Sequence, residues 1–340
     1  MKDTMVWIKK IGKWVAIGMA LVLLLLTFMY RGELSSEEVN KKYLTPESQF
    51  LDIDGMRVHV RVLGEGEPVV LLHGSFSSLH TWDIWQQELS PYFQTISLDF
   101  PGHGLTGPDS LKRYTTLDYS HLVLQVAEKL QLNEFHLAGN SMGGAVAMQV
   151  ASDHPDRVLS LNLIDAAGSP PPNSTDSTSK DNKRGGAWIF KLANQPYLSS
   201  LLLSFTPRFL FGLNVKQVYA DENKVSEEVV TRYYELMLRE GNRKATLDRL
   251  QQPRNASIRF ERLTMPTLIL WGAKDNWIPL SQGEKLKQFI PGANLVVFEE
   301  AGHVPMEEIP MESVAEYLRF LGVEVRENYL QPFKQMADAN

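Results

Sequence analysis

Cysteine is absent from this chain of 340 residues. Its absence excludes disulfide bonds, a thiolate nucleophile and metal sites built on cysteine. The sequence has no basic stripe and a formal net charge of −6, so a nucleic acid is not an expected partner. The sequence has no internal repeats. It also has no cluster of potential ligands at metal-ligand spacing, so neither a metal nor an organic cofactor is predicted. With 44% hydrophobic residues, the chain has enough apolar material for a large globular core.

One long uncharged run, Trp14–Tyr30, stands near the start of the chain. As a helix rising 1.5 Å per residue it would reach about 25 Å, the short end for crossing a bilayer. Lys2, Lys9, Lys10 and Lys13 precede it, and basic flanks stay in the cytoplasm. We therefore predict a single-pass anchor through residues 14–30, with the folded domain on the periplasmic or extracellular side. A cleaved signal peptide is the alternative, disfavoured by the length of the run and the lack of a small-x-small cleavage site.

Beyond the anchor, the pattern of apolar residues indicates the fold class. Apolar and polar residues alternate over residues 50–63. Asp54-Gly55 lies between the two halves of this segment, and this dipeptide is typical of tight β-hairpin turns. Short apolar runs suited to buried strands then alternate with runs suited to helices, which predicts an α/β fold with a mostly parallel, doubly wound sheet. The strand runs are 69–72, 95–98, 135–138 and 158–164, and the helix runs are 82–89, 117–130 and 145–151.

The alternation stops at Gly168, and strand patterns return only at Thr267. The intervening residues begin with a stretch rich in proline, serine and charge and continue with helical patterns, which predicts a helical cap with a flexible loop. The predicted division is a membrane anchor at 1–30, a linker at 31–49, core at 50–168, cap at 169–255, core at 256–322 and a tail at 323–340. Cap side chains expected to roof the site are Trp188, Phe190, Tyr197, Leu201, Phe205, Phe209 and Phe211.

The strongest chemical signal is the pentapeptide Gly139-Asn140-Ser141-Met142-Gly143, which Gly144 follows. It lies between a strand run and a helix run, so Ser141 is expected at the tip of a sharp strand–turn–helix connection. A bulky residue beside the serine would collide with the adjoining strand or helix. Such a turn exposes the serine hydroxyl as a nucleophile and directs the N–H of Met142 at the place where an oxyanion forms.

A serine hydroxyl is a weak nucleophile at neutral pH, so it needs a base that an acid orients. Asp275 and His303 follow the last two predicted strands, and parallel sheets gather such residues at the carboxyl ends of their strands. We predict Ser141 as nucleophile, His303 as base and Asp275 as the orienting acid. Asp165 follows the preceding strand and is the alternative acid. Asp99 also ends a strand, but its Pro-Gly-His-Gly sequel indicates a turn, so we expect it to order a loop.

His73 is a histidine that precedes the serine and is followed by Gly74. We predict that this pair orders a loop and does not act as the base. The loop would direct the N–H of Ser75 or Phe76 at the oxyanion, beside the N–H of Met142. Which of the two amides serves stays open at this point.

Five motifs follow one another along the chain: His73-Gly74, Asp99-x-Pro-Gly-His-Gly, Gly-Asn-Ser-Met-Gly-Gly at 139–144, Trp271-Gly272-x-x-Asp275 and Gly302-His303. Together they resemble the motifs of the α/β-hydrolase fold family. Within the family they are similar to capped serine hydrolases related to esterases, haloperoxidase-like enzymes and meta-cleavage-product hydrolases. The resemblance covers roughly residues 50–168 and 256–321, and the cap carries none of it.

The resemblance implies hydrolysis of a carboxylic ester through an acyl-enzyme, and the anchor and aromatic cap favour an apolar, lipid-like substrate. Meta-cleavage-product hydrolases cleave a carbon–carbon bond and have a similar elbow, but they usually carry tryptophan after the catalytic histidine, where this chain has Val304. An acyltransferase using the same triad and an inactive binding protein on the same fold also stay open. Epoxide hydrolases and dehalogenases require aspartate at the position of Ser141, which argues against both.

Overall fold

The computed structural model describes residues 2–170, 206–253 and 256–325. The strands within them are β1 Ser48–Ile53, β2 Met56–Leu63, β3 Pro68–Leu72, β4 Gln94–Leu98, β5 Phe135–Asn140, β6 Val158–Ile164, β7 Thr267–Gly272 and β8 Asn294–Phe298. They form one 8-stranded sheet in the order β1-β2-β4-β3-β5-β6-β7-β8. Strand β2 pairs antiparallel with β1 and with β4, and all other neighbours are parallel. The predicted α/β class and mostly parallel sheet are confirmed.

The helices of the described residues are α1 Lys2–Met29, α2 Ser36–Tyr43, α3 Asp83–Leu89, α4 Thr116–Lys129, α5 Met142–Asp153, α6 Arg208–Lys216, α7 Glu227–Leu238, α8 Asn242–Gln251, α9 Leu280–Phe289, α10 Pro305–Glu308 and α11 Pro310–Phe320. Short 3₁₀ turns lie at Leu79–Trp82, Pro155–Arg157, Glu222–Lys224 and Phe260–Arg262. Helices α3 and α11 cover one face of the sheet, and α4, α5 and α9 cover the other.

The central strands of the sheet are buried on both faces because they carry apolar side chains on both. In β3, Val70 and Leu72 join the cluster under α4 and α5, whereas Val69 and Leu71 join the cluster under α3 and α11. All four are at most 1% exposed. The side chains of a strand point alternately to the two faces of the sheet. When both faces are covered by apolar layers, the strand has a continuous apolar run in its sequence, which is typical of parallel sheets. Their common direction places the ends of β5, β6, β7 and β8 at one edge.

The hairpin predicted around Asp54-Gly55 is present. Both turn residues have positive φ, 47° at Asp54 and 81° at Gly55, and Ile53 pairs with Met56 across the turn. Two consecutive left-handed residues match the twist of the flanking strands, which explains why this dipeptide predicts the turn.

The segment predicted as a linker is more structured than expected. It contains α2, which begins with a capping box between Ser35 and Glu38, and Val39 of this helix is buried with Leu105 and Leu236. Just before α2, the N–H of Leu34 donates to a carbonyl at the end of cap helix α7 at 2.9 Å. The expectation of a polar linker was wrong here because Val39, the one buried residue of α2, and the partly buried Leu34 and Tyr43 pack on the cluster that Leu105 and Leu236 form.

Leu236→Ala is expected to lower the free energy of unfolding by about 2–5 kcal/mol, because the truncation leaves a cavity where α2, α7 and the loop at Leu105 meet. Urea unfolding measures the loss. Leu213→Ala is the matched control, since Leu213 is 53% exposed on cap helix α6 and should cost less than about 0.5 kcal/mol. Equal losses in the two variants would contradict docking of α2 on the cap.

The apolar run Trp14–Tyr30 lies almost wholly within α1. Among the helices of the described residues, none combines the length and the apolar character needed to cross a membrane. The predicted transmembrane helix is therefore unsupported: the first half of α1 carries Lys2, Asp3 and further lysines, and the uncharged part would reach only about 25 Å, less than the roughly 30 Å hydrocarbon core.

The described part of the cap consists of α6, α7 and α8. The Ser226 hydroxyl accepts from the N–H of Val229 at 3.2 Å and so caps α7. Phe209 is 62% exposed and does not roof the site, which corrects that expectation, whereas Phe211 packs on Tyr234 with ring centroids 5.4 Å apart. The expectations for Trp188, Phe190, Tyr197, Leu201 and Phe205, and for the tail beyond residue 325, fall outside the described residues.

Candidate active site

Ser141 stands in the turn between β5 and α5 with φ 54° and ψ −116°. Positive φ is costly for a residue with a side chain, so the surrounding packing must hold this conformation. A Cβ on Gly139 would lie 2.3 Å from the carbonyl oxygen of Gly143, and one on Gly143 would lie 2.2 Å from that of Leu72. Glycine is therefore required at both positions, which explains the two glycines of the Gly-x-Ser-x-Gly pentapeptide.

His303 and Asp275 meet at the neighbouring strand ends. Nδ1 of His303 and Oδ2 of Asp275 are 2.7 Å apart, and both residues are buried. The other oxygen of Asp275 accepts backbone N–H groups at 2.7 Å from Trp277 and 3.0 Å from Ile278. Because an ionised carboxylate only accepts, Nδ1 carries the proton and Nε2 keeps its lone pair. This is the tautomer that a general base requires.

Asn140 links the serine turn to the histidine loop, a role that the sequence did not reveal. Its side-chain amide donates to the carbonyl of His303 at 3.0 Å and to that of Ile164 at 3.1 Å. Because Asn140 directly precedes Ser141, the two loops are held next to one another. The Ser141 hydroxyl makes no hydrogen bond to a described residue, His303 included, and in unliganded enzymes such catalytic hydrogen bonds often tighten only with substrate.

The predicted oxyanion loop packs against the serine turn. A Cβ built on Gly74 would come within 3.1 Å of Cβ of Ser141, so only glycine allows this approach. The Ser75 hydroxyl lies 3.5 Å from Sδ of Met142, and Phe76 has a positive φ of 63°. Met142 begins α5, where backbone N–H groups are free of intrahelical partners. The structure thus places the loop at Gly74 and the N-terminus of α5 beside Ser141, and the oxyanion role of the Ser75, Phe76 and Met142 amides stays a prediction.

His73 lies beneath this loop and is fully buried. Its Nδ1 donates to the carbonyl of Gly74 at 2.7 Å, and its Nε2 accepts the N–H of Phe100 at 3.0 Å. Burial lowers the pKa of His73, so the ring stays neutral. The two hydrogen bonds occupy both of its nitrogens. These contacts support loop ordering as the role predicted for His73 and Gly74.

Asp99 extends this support. Its carboxylate accepts the N–H of Leu79 at 2.7 Å and of Leu105 at 2.8 Å, and it pairs with Nδ1 of His59 at 2.7 Å. Burial alone would raise the pKa of Asp99, but the hydrogen bond and charge of His59 outweigh burial and hold that pKa well below its usual range. The loop-ordering role expected of Asp99 therefore has a definite set of partners.

Asp99→Asn is expected to lower the free energy of unfolding at pH 7 by about 3 kcal/mol, because it weakens a buried charged network. Since the pKa of Asp99 is lower in the folded state, its stabilisation is complete above the unfolded pKa and disappears as the pH falls through the folded value. The difference between wild type and variant should therefore shrink below about pH 4. Unfolding measured from pH 7 to pH 3 tests this, with the exposed Asp52→Asn as control. A difference that stays constant with pH would contradict a stabilising charge on Asp99.

Cap and core meet at the histidine loop. The N–H of His303 donates to the carbonyl of Val218 at 2.7 Å, and Glu308 accepts from the N–H groups of Gly302 at 2.7 Å and Ala220 at 3.1 Å. The ring of Trp277 lies nearly parallel to that of His303, with centroids 6.0 Å apart. None of these partners carries a signal in the sequence, because their proximity depends on how the cap docks.

A second carboxyl group, that of Asp165, lies beside Asp275 and His303. One ligand atom each from Asp165, Asp275 and His303 lie within 4.8 Å of one another, and this is the one group in the described part of the chain with spacing suited to a metal ion. The proton on Nδ1 of His303 leaves that nitrogen without a lone pair for a metal. The cluster is therefore better explained by proton chemistry.

Comparison with known proteins agrees with this architecture. A family model for the α/β-hydrolase fold matches residues 67–310. A dihydrolipoyllysine-residue acetyltransferase component of an acetoin cleaving system from Pseudomonas putida is 30% identical over 287 residues, 81% of this chain and 70% of that protein. A 2-hydroxy-6-oxononadienedioate/2-hydroxy-6-oxononatrienedioate hydrolase from Comamonas testosteroni is 28% identical over 277 residues, 79% and 91% of the two chains. Lipase 1 of Psychrobacter immobilis is 27% identical over 262 residues, 76% and 78%.

Solved structures share the fold. A meta-cleavage product hydrolase from Pseudomonas fluorescens superimposes with a TM-score of 0.66 at 22% identity, over 79% of this chain and 95% of that one. A membrane phospholipase A superimposes with a TM-score of 0.65 at 22% identity, over 95% of this chain and 98% of the other. Because the family model spans well over half of the sequence and the sheet has the matching architecture, this protein belongs to the α/β-hydrolase fold family.

Proposed function

We propose that this chain is a serine hydrolase that cleaves carboxylic esters through an acyl-enzyme. The observation that carries the proposal is the strained serine at the helix N-terminus beside a buried histidine–aspartate pair, with Asn140 joining the two loops. A nucleophile, an oriented base and two sources of oxyanion donors are what acyl transfer requires.

In the proposed reaction, Ser141 attacks the ester carbonyl while Nε2 of His303 takes the hydroxyl proton. Asp275 holds the ring through Nδ1 and stabilises the imidazolium that forms. The oxyanion is stabilised by the N–H of Met142 and by an amide from Ser75 or Phe76. His303 then returns its proton to the leaving alcohol, and water activated by the same base releases the acid.

The distribution of exposed apolar side chains supports an apolar, lipid-like ester. Helix α1 exposes Trp7, Trp14 and Leu24 at 69%, 71% and 66%, and cap helix α6 exposes Phe209 and Leu213 at 62% and 53%. Large exposed apolar patches mark contact with other molecules or with membranes. A lipase and a membrane phospholipase A are among the similar proteins, and the latter match extends over 95% of this chain.

We also propose that α1 holds the enzyme at a lipid bilayer. Its exposed tryptophans and leucines suit the apolar side of an interface, and its lysines suit anionic lipid headgroups. Flotation with anionic liposomes tests this: wild type should float, and a Trp7→Ser/Trp14→Ser variant should float less. Equal flotation of both would remove the proposal. The periplasmic or extracellular position of the hydrolase domain stays a prediction, which protease accessibility in intact cells would test.

A panel of p-nitrophenyl esters of increasing acyl length tests the substrate class. We expect kcat/KM to rise with acyl length, because each added methylene buries more apolar surface. Preference for short, polar esters alone would remove the lipid-like part of the proposal. Labelling by a fluorophosphonate probe in wild type separates an active serine hydrolase from an inactive binding protein.

Carbon–carbon bond hydrolysis is the second candidate because a relative is a 2-hydroxy-6-oxononadienedioate hydrolase at 28% identity. Against it, the residue after His303 is Val304, which is 5% exposed and packs in the core. A vinylogous diketone acid in the same panel decides: turnover of it without ester turnover would favour this candidate. Acyl transfer is tested by adding an alcohol and looking for the transferred ester.

A further inference from the structure

The carboxyl group of Asp165 has no role in the mechanism above, although it lies inside the site. Asp165 follows β6, is fully buried and has a positive φ of 44°. Its Oδ1 accepts the N–H of Gly272 at 3.0 Å, and no described donor reaches its Oδ2. A buried carboxyl oxygen without a donor is costly unless a proton sits on it.

The neighbour of Asp165 is the triad acid: one oxygen of Asp165, one oxygen of Asp275 and one ring nitrogen of His303 lie within 4.8 Å of one another. Carboxylate oxygens are both acceptors, so a bond between them requires a proton on one. Asp275 is better placed to carry the charge, because it accepts from Trp277, Ile278 and His303. Within the described parts of the chain, Asp165 accepts from Gly272 alone, so the proton belongs to Asp165.

The electrostatics agree with this assignment. Burial raises the pKa of Asp165 well above its usual value, and the adjacent charge of Asp275 raises it further. The other titratable groups facing it are His303 and Glu308, and the charge of Glu308 acts in the same direction. Two buried carboxylates this close cannot both ionise.

We propose that Asp165 is a positioning residue of the triad: it holds a proton and donates it in a hydrogen bond to the carboxylate of Asp275, which keeps that carboxylate on Nδ1 of His303. The inference rests on the proposed function, since it assigns His303 as the base. The neutral Asp165 withdraws negative charge from Asp275 and so limits how tightly the imidazole holds its added proton.

Infrared difference spectroscopy tests the proton directly and needs no substrate. At pH 7 wild type should show the carbonyl stretch of a protonated carboxylic acid, and Asp165→Asn should lose it. Asp109→Asn, a change at a buried carboxylate paired with Arg113, should keep it. Absence of the band in wild type, or its persistence in Asp165→Asn, would overturn the proposal even if the ester assignment holds.

Kinetics test the positioning. Asparagine keeps an acceptor for Gly272 and a donor for Asp275, so kcat of Asp165→Asn should stay within about threefold of wild type. Asp165→Ala loses the donor, so kcat should fall about ten- to hundredfold with little change in KM. The acid limb of its pH–kcat profile should move to higher pH, because the negative charge of Asp275, which Asp165 no longer reduces, favours the imidazolium. A fall in kcat with an unmoved limb indicates a merely structural role and sinks the proposal; if the alanine variant does not fold, the asparagine variant and its spectrum decide.

Discussion

Ser141→Ala is expected to lower kcat by about a million-fold, the scale seen when the nucleophile of a triad is removed. The reason is chemical: alanine has no atom that can form the acyl-enzyme, so only the oxyanion donors and substrate binding remain to accelerate attack by water. KM should change little, since the hydroxyl acts in bond formation and the rest of the binding site is unchanged. Initial rates on the best p-nitrophenyl ester measure the loss.

Ser120→Ala is the matched control for this experiment. Ser120 is a buried serine outside the site, and its hydroxyl donates to the carbonyl of Leu117 at 2.8 Å on helix α4. Its loss should leave kcat within about threefold, because such a hydrogen bond within a helix contributes about 1 kcal/mol or less to stability and nothing to the reaction. Retained ester turnover and retained fluorophosphonate labelling in Ser141→Ala would remove the nucleophile assignment.

Asp275→Asn is expected to lower kcat by about ten-thousand-fold with the fold intact. Asparagine presents an N–H to Nδ1 of His303, so the ring takes the tautomer with its proton on Nε2 and can no longer accept a proton from Ser141. The fall of kcat at acid pH should also be smaller in this variant, because residue 275 no longer carries a carboxylate that stabilises the imidazolium.

The outcome of Asp275→Asn also separates the two candidate acids. If Asp275→Asn kept most of its activity while Asp165→Asn lost it, the orienting acid would be Asp165, and both the triad and the shared proton would have to be reassigned. Asp109→Asn serves as control, since it alters a buried carboxylate on a loop that the triad does not touch.

Much of the fold was predictable because its signals are local. Asp54-Gly55 predicts the hairpin through the backbone conformations that this dipeptide tolerates, and the helix predicted at 117–130 is found at Thr116–Lys129. Segment 31–49 was misjudged since Val39 is one apolar residue in a polar run, and its burial depends on Leu105 and Leu236, which are distant in sequence.

The site divides in the same way. The conformation of Ser141 follows from the glycines beside it, and the order of serine, aspartate and histidine follows from the strand order, so both were accessible from the sequence. The bridge from Asn140 to His303 and the stacking of Trp277 were not, because they join residues more than 20 positions apart through loops whose paths are set by packing.

The sheet, the serine turn and the candidate triad were already specified by the order of residues, because each depends on backbone preferences and on the succession of parallel strands. The sequence favoured Asp275 over Asp165 as the partner of the imidazole, but only the packed chain shows the contacts that decide between them, and the proposed proton on Asp165 rests on those contacts. Asp165 and Asp275 each end a strand and are alike as isolated residues, but one accepts a single N–H and the other accepts two and the imidazole. This difference in the number of hydrogen-bond donors around each carboxyl group arises only when the ends of four strands come together in the folded chain.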